Sequence, residues 1–171
     1  MQHLRRLVWY IATRLILICV ICGILLCAFF MCLNTANVYV VLQEGMEQRV
    51  QVILTESDAE SLNFYFHADF LAGDPALEGA FDGSSIYDAY KISDFEYEQT
   101  IERIWAWPWD DYASCTIVER VSSITGTVKS EWRGQVSETL PAWQGGRYNV
   151  TLVKVDGVWK INGLQQTAVI M

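Results

Sequence analysis

The chain has 171 residues, of which 52% are hydrophobic, and its formal net charge is −8. This length suits one ordinary domain with an appended segment rather than several domains. An acidic chain lacks the basic footprint that nucleic acid requires, so nucleic-acid binding is excluded as a leading hypothesis.

The first element is an uncharged apolar run at residues 15–33. As a helix it would be about 29 Å long, close to the hydrocarbon thickness of a bilayer. A cleaved signal peptide is the alternative, but its apolar core is shorter and ends in small residues. This run instead ends with the bulky Phe29, Phe30 and Met31. We therefore predict an uncleaved transmembrane helix at residues 15–33, preceded by a cytoplasmic tail and the start of the anchor at residues 1–14.

The distribution of charge predicts the orientation of this anchor. Arg5, Arg6 and Arg14 precede the apolar run, and no acidic residue precedes Glu44. By the positive-inside rule, the N-terminus is cytoplasmic and residues 34–171 lie outside the cell membrane. All 20 acidic residues belong to this outer part, which anionic lipid headgroups would therefore repel.

The segment after the anchor, residues 34–57, has an apolar residue at every third or fourth position, which predicts one helical stripe. The stripe consists of Val38, Leu42, Met46, Val50 and Ile53. The segment is interpreted either as a helix that joins the following domain or as a juxtamembrane stalk. Gly45 is expected to weaken the helix by about 1 kcal/mol relative to alanine and is a candidate break.

Residues 58–171 are predicted to form an extracytoplasmic domain that begins with a second helix. The sequence Ser-Asp-Ala-Glu at residues 57–60 has the capping-box pattern. Gly73 and Pro75 are expected to end this helix. Residues 74–85 are rich in Gly, Asp and Ser and indicate a loop.

After this loop, apolar and polar residues alternate, which predicts antiparallel strands. The apolar face of the first strand consists of Phe95, Tyr97, Ile101, Trp105 and Trp107. Gln99 and Arg103 interrupt this face, which indicates a bulge or a partly polar cavity. A turn is predicted at residues 108–111, a second strand at 112–124 and a third strand at 127–136.

The last two strands flank Asp156 and Gly157, a pair that favours a type I′ hairpin turn because both positions need positive φ. Two helices followed by four or five antiparallel strands predict an α+β fold, in which helices pack on a curved antiparallel sheet.

The closing sequence Tyr148-x-Val-x-Leu-x-Lys-x-Asp-Gly-x-Trp-Lys-Ile, with a short amphipathic helix that ends near Phe70, resembles the nuclear-transport-factor-2-like (cystatin-like cone) superfamily. The resemblance covers residues 36–168 and implies a cone-shaped domain. It implies no single activity, because that superfamily contains small-molecule enzymes, ligand binders and non-catalytic domains on membrane anchors. The layout of tail, span and outer domain is similar to that of the inner-membrane assembly factors of conjugation and type IV secretion machines.

Two groups of residues are candidates for function. The first group, predicted to line a ligand cavity inside the cone, comprises Tyr97, Gln99, Arg103 and Trp105. Arg103 would be the counter-charge of an acidic ligand, unless it extends to an edge of the sheet. The second group, predicted to bind a partner at the hairpin tip, comprises Trp107, Pro108 and Trp109. The alternative for the two tryptophan rings is a local cluster packed on Pro108 or Tyr112.

Catalytic and metal-binding patterns are weak in this sequence. His67 and Asp69 are the only His/acid cluster of the outer part. They are two residues apart, so their side chains would not lie on the same face of a helix. One histidine and one cysteine, Cys115, make no zinc site there. We therefore predict no metal, no cofactor and no enzymatic activity, and an enzyme with His67 as its base is the least favoured hypothesis. Cys115 is most simply buried, with pairing between chains as the alternative.

The main functional hypothesis is a non-catalytic interaction or assembly domain on a single-pass membrane anchor, as a subunit of an envelope secretion, conjugation or sporulation complex. Its partners would be envelope membrane proteins, and self-association is an open alternative. The second hypothesis is a domain that binds or senses a small ligand in the cone cavity.

Overall fold

The fold begins with one helix, α1 (Gln2–Thr55), of 54 residues. The computed structural model describes the chain from Gln2 to Ile170. At about 1.5 Å per residue, α1 is about 81 Å long, which is far more than one bilayer requires. Its first part contains a stretch that is long and apolar enough to cross a membrane, and the rest of the chain does not bury this stretch.

The second part of α1 belongs to the core of the fold. The residues of the predicted stripe are all buried, namely Val38, Leu42, Met46, Val50 and Ile53. Residues 34–57 therefore belong to a helix that packs against the domain and do not form a separate juxtamembrane stalk.

α1 does not break at Gly45, contrary to the prediction. A Cβ atom added at Gly45 would lie 2.8 Å from Cβ of Tyr65 and 3.2 Å from Cδ1 of Ile161. Glycine occupies this position because another segment of the chain approaches the helix closely here, and not because the helix ends.

The predicted second helix is divided into separate elements. Asp58 accepts a hydrogen bond from the backbone N–H of Glu60 and caps a 3₁₀ turn at Ala59–Phe64. Phe66 then forms an isolated parallel bridge with Ile161. This bridge needs extended backbone, so the helix cannot continue through it.

Two short helices follow, α2 (Ala68–Ala72) and α3 (Pro75–Asp82). The loop predicted at residues 74–85 is wrong, since α3 occupies most of it. Asp74 accepts a hydrogen bond from a backbone N–H of the first turn, and Pro75 is in the first turn, where a missing N–H is tolerated. The Asp-Pro pair therefore begins a helix, and the prediction that Pro75 helps to end one is wrong.

Four antiparallel strands form one open sheet in the order β1-β2-β3-β4. They are β1 (Tyr90–Ala106), β2 (Tyr112–Val128), β3 (Gly145–Val155) and β4 (Val158–Ile170). The turn after β3 has φ angles of 51° at Asp156 and 83° at Gly157, as a type I′ turn requires. The prediction of an α+β fold with an antiparallel sheet is confirmed.

The third strand predicted at residues 127–136 is wrong. β2 continues to Val128, and the chain then enters a 3₁₀ turn at Ser130–Trp132. Gly134 follows with a φ of 83°, which is incompatible with a continuous extended strand.

The core lies between the second part of α1 and one face of the sheet, here called the inner face. The strand residues that belong to the same buried cluster as the α1 stripe include Ile117, Val150, Leu152 and Ile161. The opposite face, here called the outer face, is mostly polar and exposed.

Candidate functional site

The four residues predicted to line one cavity lie on both faces of the sheet. A bulge in β1 between Ile101 and Arg103 shifts the register against β2, and the shift reverses the alternation of inner and outer residues. Tyr97 and Gln99 are partly buried on the inner face, whereas Arg103 and Trp105 are exposed on the outer face. The structure therefore does not bring the four residues together.

Arg103 and Trp105 lie along an open groove of about 490 Å³ on the outer face. The groove is completed mainly by small or polar residues: Ser114, Thr116, Asn149, Thr151 and Gln165. Among the described residues, no carboxylate forms an ion pair with Arg103. Its charge is therefore available to an external group, but the groove lacks the enclosure that is typical of a small-molecule pocket.

A buried ion pair joins α1 to α3. Nε and Nη2 of Arg49 donate hydrogen bonds to the carboxylate of Asp74 at 2.6 and 3.0 Å, and both side chains are buried. Burial would lower the pKa of Arg49, but the hydrogen bonds and charge of Asp74 raise it above the ordinary value. Because Asp74 also caps α3, this bidentate ion pair fixes α3 against α1.

Glu119, on the inner face of β2, is a fully buried carboxyl group near this ion pair, with an exposure of 0%. Its Oε1 accepts a hydrogen bond from Nε1 of Trp143 at 3.0 Å, while Oε2 has no partner in the part of the chain that the structure describes. Burial raises the pKa of Glu119, and the charge of Arg49 and the hydrogen bond from Trp143 offset only part of this rise. The domain thus contains a titratable group in its interior.

Tyr97 and Gln99 belong to the same inner polar cluster. The hydroxyl of Tyr97 donates a hydrogen bond to Oε1 of Gln99 at 3.0 Å. Burial, together with the charge of Glu119, raises the pKa of Tyr97 and raises the pKa of Tyr148 to about 12. Both hydroxyls therefore stay protonated at neutral pH, and the hydrogen bond between Tyr97 and Gln99 is a neutral one.

A cleft of about 380 Å³ opens beside this cluster, between α1, α3 and β3. Arg49 contributes to its lining, together with the aromatic rings of Tyr87, Trp143 and Tyr148. The rings of Tyr87 and Trp143 stack with their centroids 6.1 Å apart. Because Asp74 already neutralises Arg49, the cleft suits a small neutral or aromatic molecule better than an acid.

Arg49, Asp74 and Glu119 are not among the residues that the sequence predicts to be functional. The sequence does indicate the position of Glu119. It follows Cys115 and Ile117 at steps of two residues, and side chains at this spacing in a strand point to the same face, here the core. Arg49 and Asp74 are 25 residues apart in the chain, and no local pattern pairs them.

The turn between β1 and β2 carries an exposed aromatic cluster, here called the tip cluster, which comprises Trp105, Trp107, Trp109 and Tyr112. The rings of Trp105 and Trp107 stack, with centroids 6.2 Å apart, and Trp109 meets Trp107 edge-to-face at 5.8 Å. Pro108 between them is partly buried. The three tryptophan rings thus pack on one another and still expose much of their surface. Partner binding by Trp107, Pro108 and Trp109 stays a prediction.

The tip cluster is attached to α1. Nδ2 of Asn34 donates hydrogen bonds to the carbonyl oxygens of Trp107 and Pro108, each at 3.2 Å. Asn34 is the first residue after the predicted transmembrane helix, so the hairpin tip lies beside the end of the apolar run.

His67 and Asp69 are in contact, but as a helix cap. Nδ1 of His67 accepts a hydrogen bond from the backbone N–H of Asp69 at 3.3 Å and lies 3.5 Å from its carboxylate. Cys115 is buried, and burial raises its pKa to about 12, which favours a packed thiol over a disulfide between chains. Among the side chains that the structure describes, no three or more metal-ligating groups are brought together.

In comparisons with known proteins, no family model matches this chain, and no curated protein or solved structure matches it significantly. The resemblance to the nuclear-transport-factor-2-like superfamily therefore remains a prediction.

Proposed function

We propose that this chain is a single-pass membrane protein whose α+β domain lies outside the cytoplasmic membrane and binds other envelope membrane proteins. In this role it is an assembly subunit rather than an enzyme, in a secretion, conjugation or sporulation complex. A cone-shaped, cystatin-like domain is part of the same proposal.

The observation that carries the proposal is the continuity of α1. Its first part exposes apolar side chains on every side, such as Ile16, Leu25 and Phe29, and a helix of this kind is stable in lipid or against other apolar helices. Its second part is buried in the domain core. One rigid element therefore joins a span to a folded domain and would hold that domain at a set height above a bilayer.

The charge distribution supports the orientation. Arg5 and Arg6 are exposed at the start of α1, and the guanidinium of Arg14 lies 5.3 Å from the ring centroid of Tyr10. Cations and aromatic rings are typical of the cytoplasmic interface of a span. The domain at the other end carries all the acidic residues.

The outer face of the sheet is the surface that we assign to protein partners. Among the described residues, Arg147 of this face forms an ion pair with Glu102. Arg120 is opposite Glu98 in the register of the sheet but forms no ion pair with it. Arg103 has no such ion pair among the described residues. A partner that places a carboxylate opposite Arg103 would complete the charge pattern of this face.

Crosslinking in membranes tests the proposal. The full-length chain, at native expression, receives a photoreactive side chain at Thr151 on the outer face, or at the exposed Glu60 on the helical side as the matched control. We expect a reproducible set of membrane proteins to crosslink from Thr151, with a lower yield after Arg103→Glu and little yield from Glu60. Adducts absent from both positions, or formed only with the chain itself, would contradict an assembly role with envelope partners.

A second candidate function, binding or sensing of a small ligand, is favoured by the cleft beside Arg49. Trp143 lines this cleft and also donates its indole N–H to the buried Glu119. A ligand that moved Trp143 would therefore act on the titratable group of the core. The cleft also borders α1, which leads directly to the predicted span.

A ligand screen by tryptophan fluorescence separates this candidate from the first. Ala76→Trp would fill the cleft, because Ala76 lines it and is exposed. Ala68→Trp, on the exposed surface of α2, is the matched control. A ligand whose signal survives in the Ala68 variant and disappears in the Ala76 variant supports the cleft, whereas equal binding by both variants argues against it.

A further inference from the structure

The tip cluster exposes more aromatic surface than a hairpin turn in water normally does. Trp105, Trp107 and Trp109 are 48%, 37% and 69% exposed, and Tyr112 is 70% exposed. Contiguous apolar patches of this kind mark contact sites for proteins or for membranes. The position of the tip in the fold distinguishes these two occupants.

The contact with Asn34 places the tip at the level where the surroundings of α1 change. Before Asn34, apolar residues such as Leu33 are exposed, and after it Val38 is the first of the fully buried stripe. The tip is therefore beside the predicted membrane boundary, and not at the distal end of the domain, where a soluble partner would approach most freely.

A second aromatic pair lies at the opposite end of the apolar stretch. Trp9 and Tyr10 are 76% and 59% exposed on α1. Between Tyr10 and Asn34, α1 rises by about 36 Å, and the hydrocarbon core of a bilayer is about 30 Å thick. Tryptophan and tyrosine are enriched at both membrane–water interfaces, so the two aromatic groups are spaced to bracket one bilayer.

From this geometry we infer that the tip cluster inserts into the lipid headgroup layer of the same bilayer that α1 crosses, on the side of the folded domain. The inference rests on the proposed membrane anchoring. Asp110 and Asp111 lie between Trp109 and Tyr112 in the chain and are exposed, and anionic lipids would repel them, so the preferred surface is zwitterionic. The β1–β2 hairpin is then a second membrane contact, which fixes the tilt of the domain and leaves the part of the outer sheet face beyond Trp105 to protein partners.

The test uses the full chain, labelled with fluorotryptophan and reconstituted in phosphatidylcholine nanodiscs. Each of the 7 tryptophans gives its own fluorine NMR signal, which single Trp→Phe substitutions assign. A spin label on the lipid headgroup broadens the signals of nearby rings. Trp9 reports the insertion of α1, and Trp132, which is 42% exposed beyond the far end of β2, is the control for an exposed ring away from the bilayer.

We expect the signals of Trp107 and Trp109 to broaden as strongly as that of Trp9 and several times more than that of Trp132. Broadening of Trp9 without broadening of the tip would overturn the inference while leaving the membrane anchor intact. No broadening of Trp9 would remove the proposed anchoring and the inference with it. If Trp9 broadens but the tip is protected from both the lipid label and a water-soluble paramagnetic agent, a protein surface covers the tip, which also overturns the inference.

Discussion

The two parts of α1 have the same backbone but opposite surroundings. Residues 8–33 present apolar side chains all round the axis, and these side chains are exposed to whatever surrounds the chain. Residues 38–54 present one apolar stripe to the sheet, while other positions such as Glu44 and Glu47 are charged and exposed. The distribution of apolar residues around the axis, rather than helix propensity, thus decides whether lipid or protein is the environment of each part.

The largest effect in this contrast is expected from Arg49→Met. The substitution leaves the carboxylate of Asp74 buried without its partner, which should lower the free energy of unfolding by about 3–5 kcal/mol. Thermal unfolding of the full-length chain in detergent micelles, followed by tryptophan fluorescence, measures this loss. Arg14→Met, in the first part of α1, is the control and should not change it.

The double variant Arg49→Met, Asp74→Leu sharpens the same comparison. It removes both charges together, so it should be clearly more stable than Arg49→Met alone. Equal stability of the single and double variants would mean that the ion pair is not what holds α3 against α1.

Leu42→Ala is expected to have the next largest effect. Leu42 is fully buried between α1 and the sheet, and its truncation should lower the free energy of unfolding by about 2–5 kcal/mol. Leu25→Ala removes the same atoms from an exposed position of the first part and should change the stability of the domain by less than about 0.5 kcal/mol. Similar losses in both variants, measured by the same unfolding experiment, would show that the two parts of α1 do not differ as described.

A matched pair of glycines gives a smaller effect. Gly45→Ala forces a methyl group against Tyr65, and the overpacking outweighs the helix preference of alanine, for a net loss of about 1–2 kcal/mol. Gly23 has no atom within 4 Å of an added Cβ, so Gly23→Ala should leave the unfolding temperature unchanged or slightly raised. A stabilising Gly45→Ala would contradict the close packing of Tyr65 on α1.

The smallest effect is a change in pH dependence at Glu119. Because burial raises its pKa in the folded state, the native carboxyl group holds its proton more tightly than the unfolded one. Stability should therefore be highest below the ordinary value of 4.5 and decline as the pH rises from there towards the raised value. Glu119→Gln removes this decline, so the variant should melt at a higher temperature than the wild type at pH 7, with a difference that shrinks in acid.

Melting curves across this pH range check the expectation. Glu98→Gln, at an exposed position of β1, is the matched control and should keep the wild-type decline, because Glu119 is still present. If the melting temperature of Glu119→Gln depends on pH in the same way as that of the wild type, Glu119 does not titrate in the interior.

Local patterns in the sequence predicted the elements that depend on neighbouring residues. The stripe from Val38 to Ile53 required only helical spacing, and the hairpin at Asp156 and Gly157 required only the φ preferences of two residues. Pro75 was misinterpreted because proline is compatible with either end of a helix, and only the capping contact of Asp74 distinguishes them.

The candidate site depends on contacts that no local pattern encodes. The bulge after Ile101, which separates Arg103 from Tyr97, is a property of the pairing with β2 and not of β1 alone. The hydrogen bond between Trp143 and Glu119 likewise joins residues that are far apart in sequence. Such contacts become visible only once the register of the sheet is known.

The most direct measurement for the account as a whole is the topology of α1 in cells that express the full-length chain. A cysteine placed at the exposed Glu60 or Arg5 is treated with a membrane-impermeant thiol reagent, before and after permeabilisation. We expect Glu60→Cys to react in intact cells and Arg5→Cys to react only after permeabilisation. Reaction of both cysteines from the same side would contradict a spanning α1 and, with it, the proposed role of the domain.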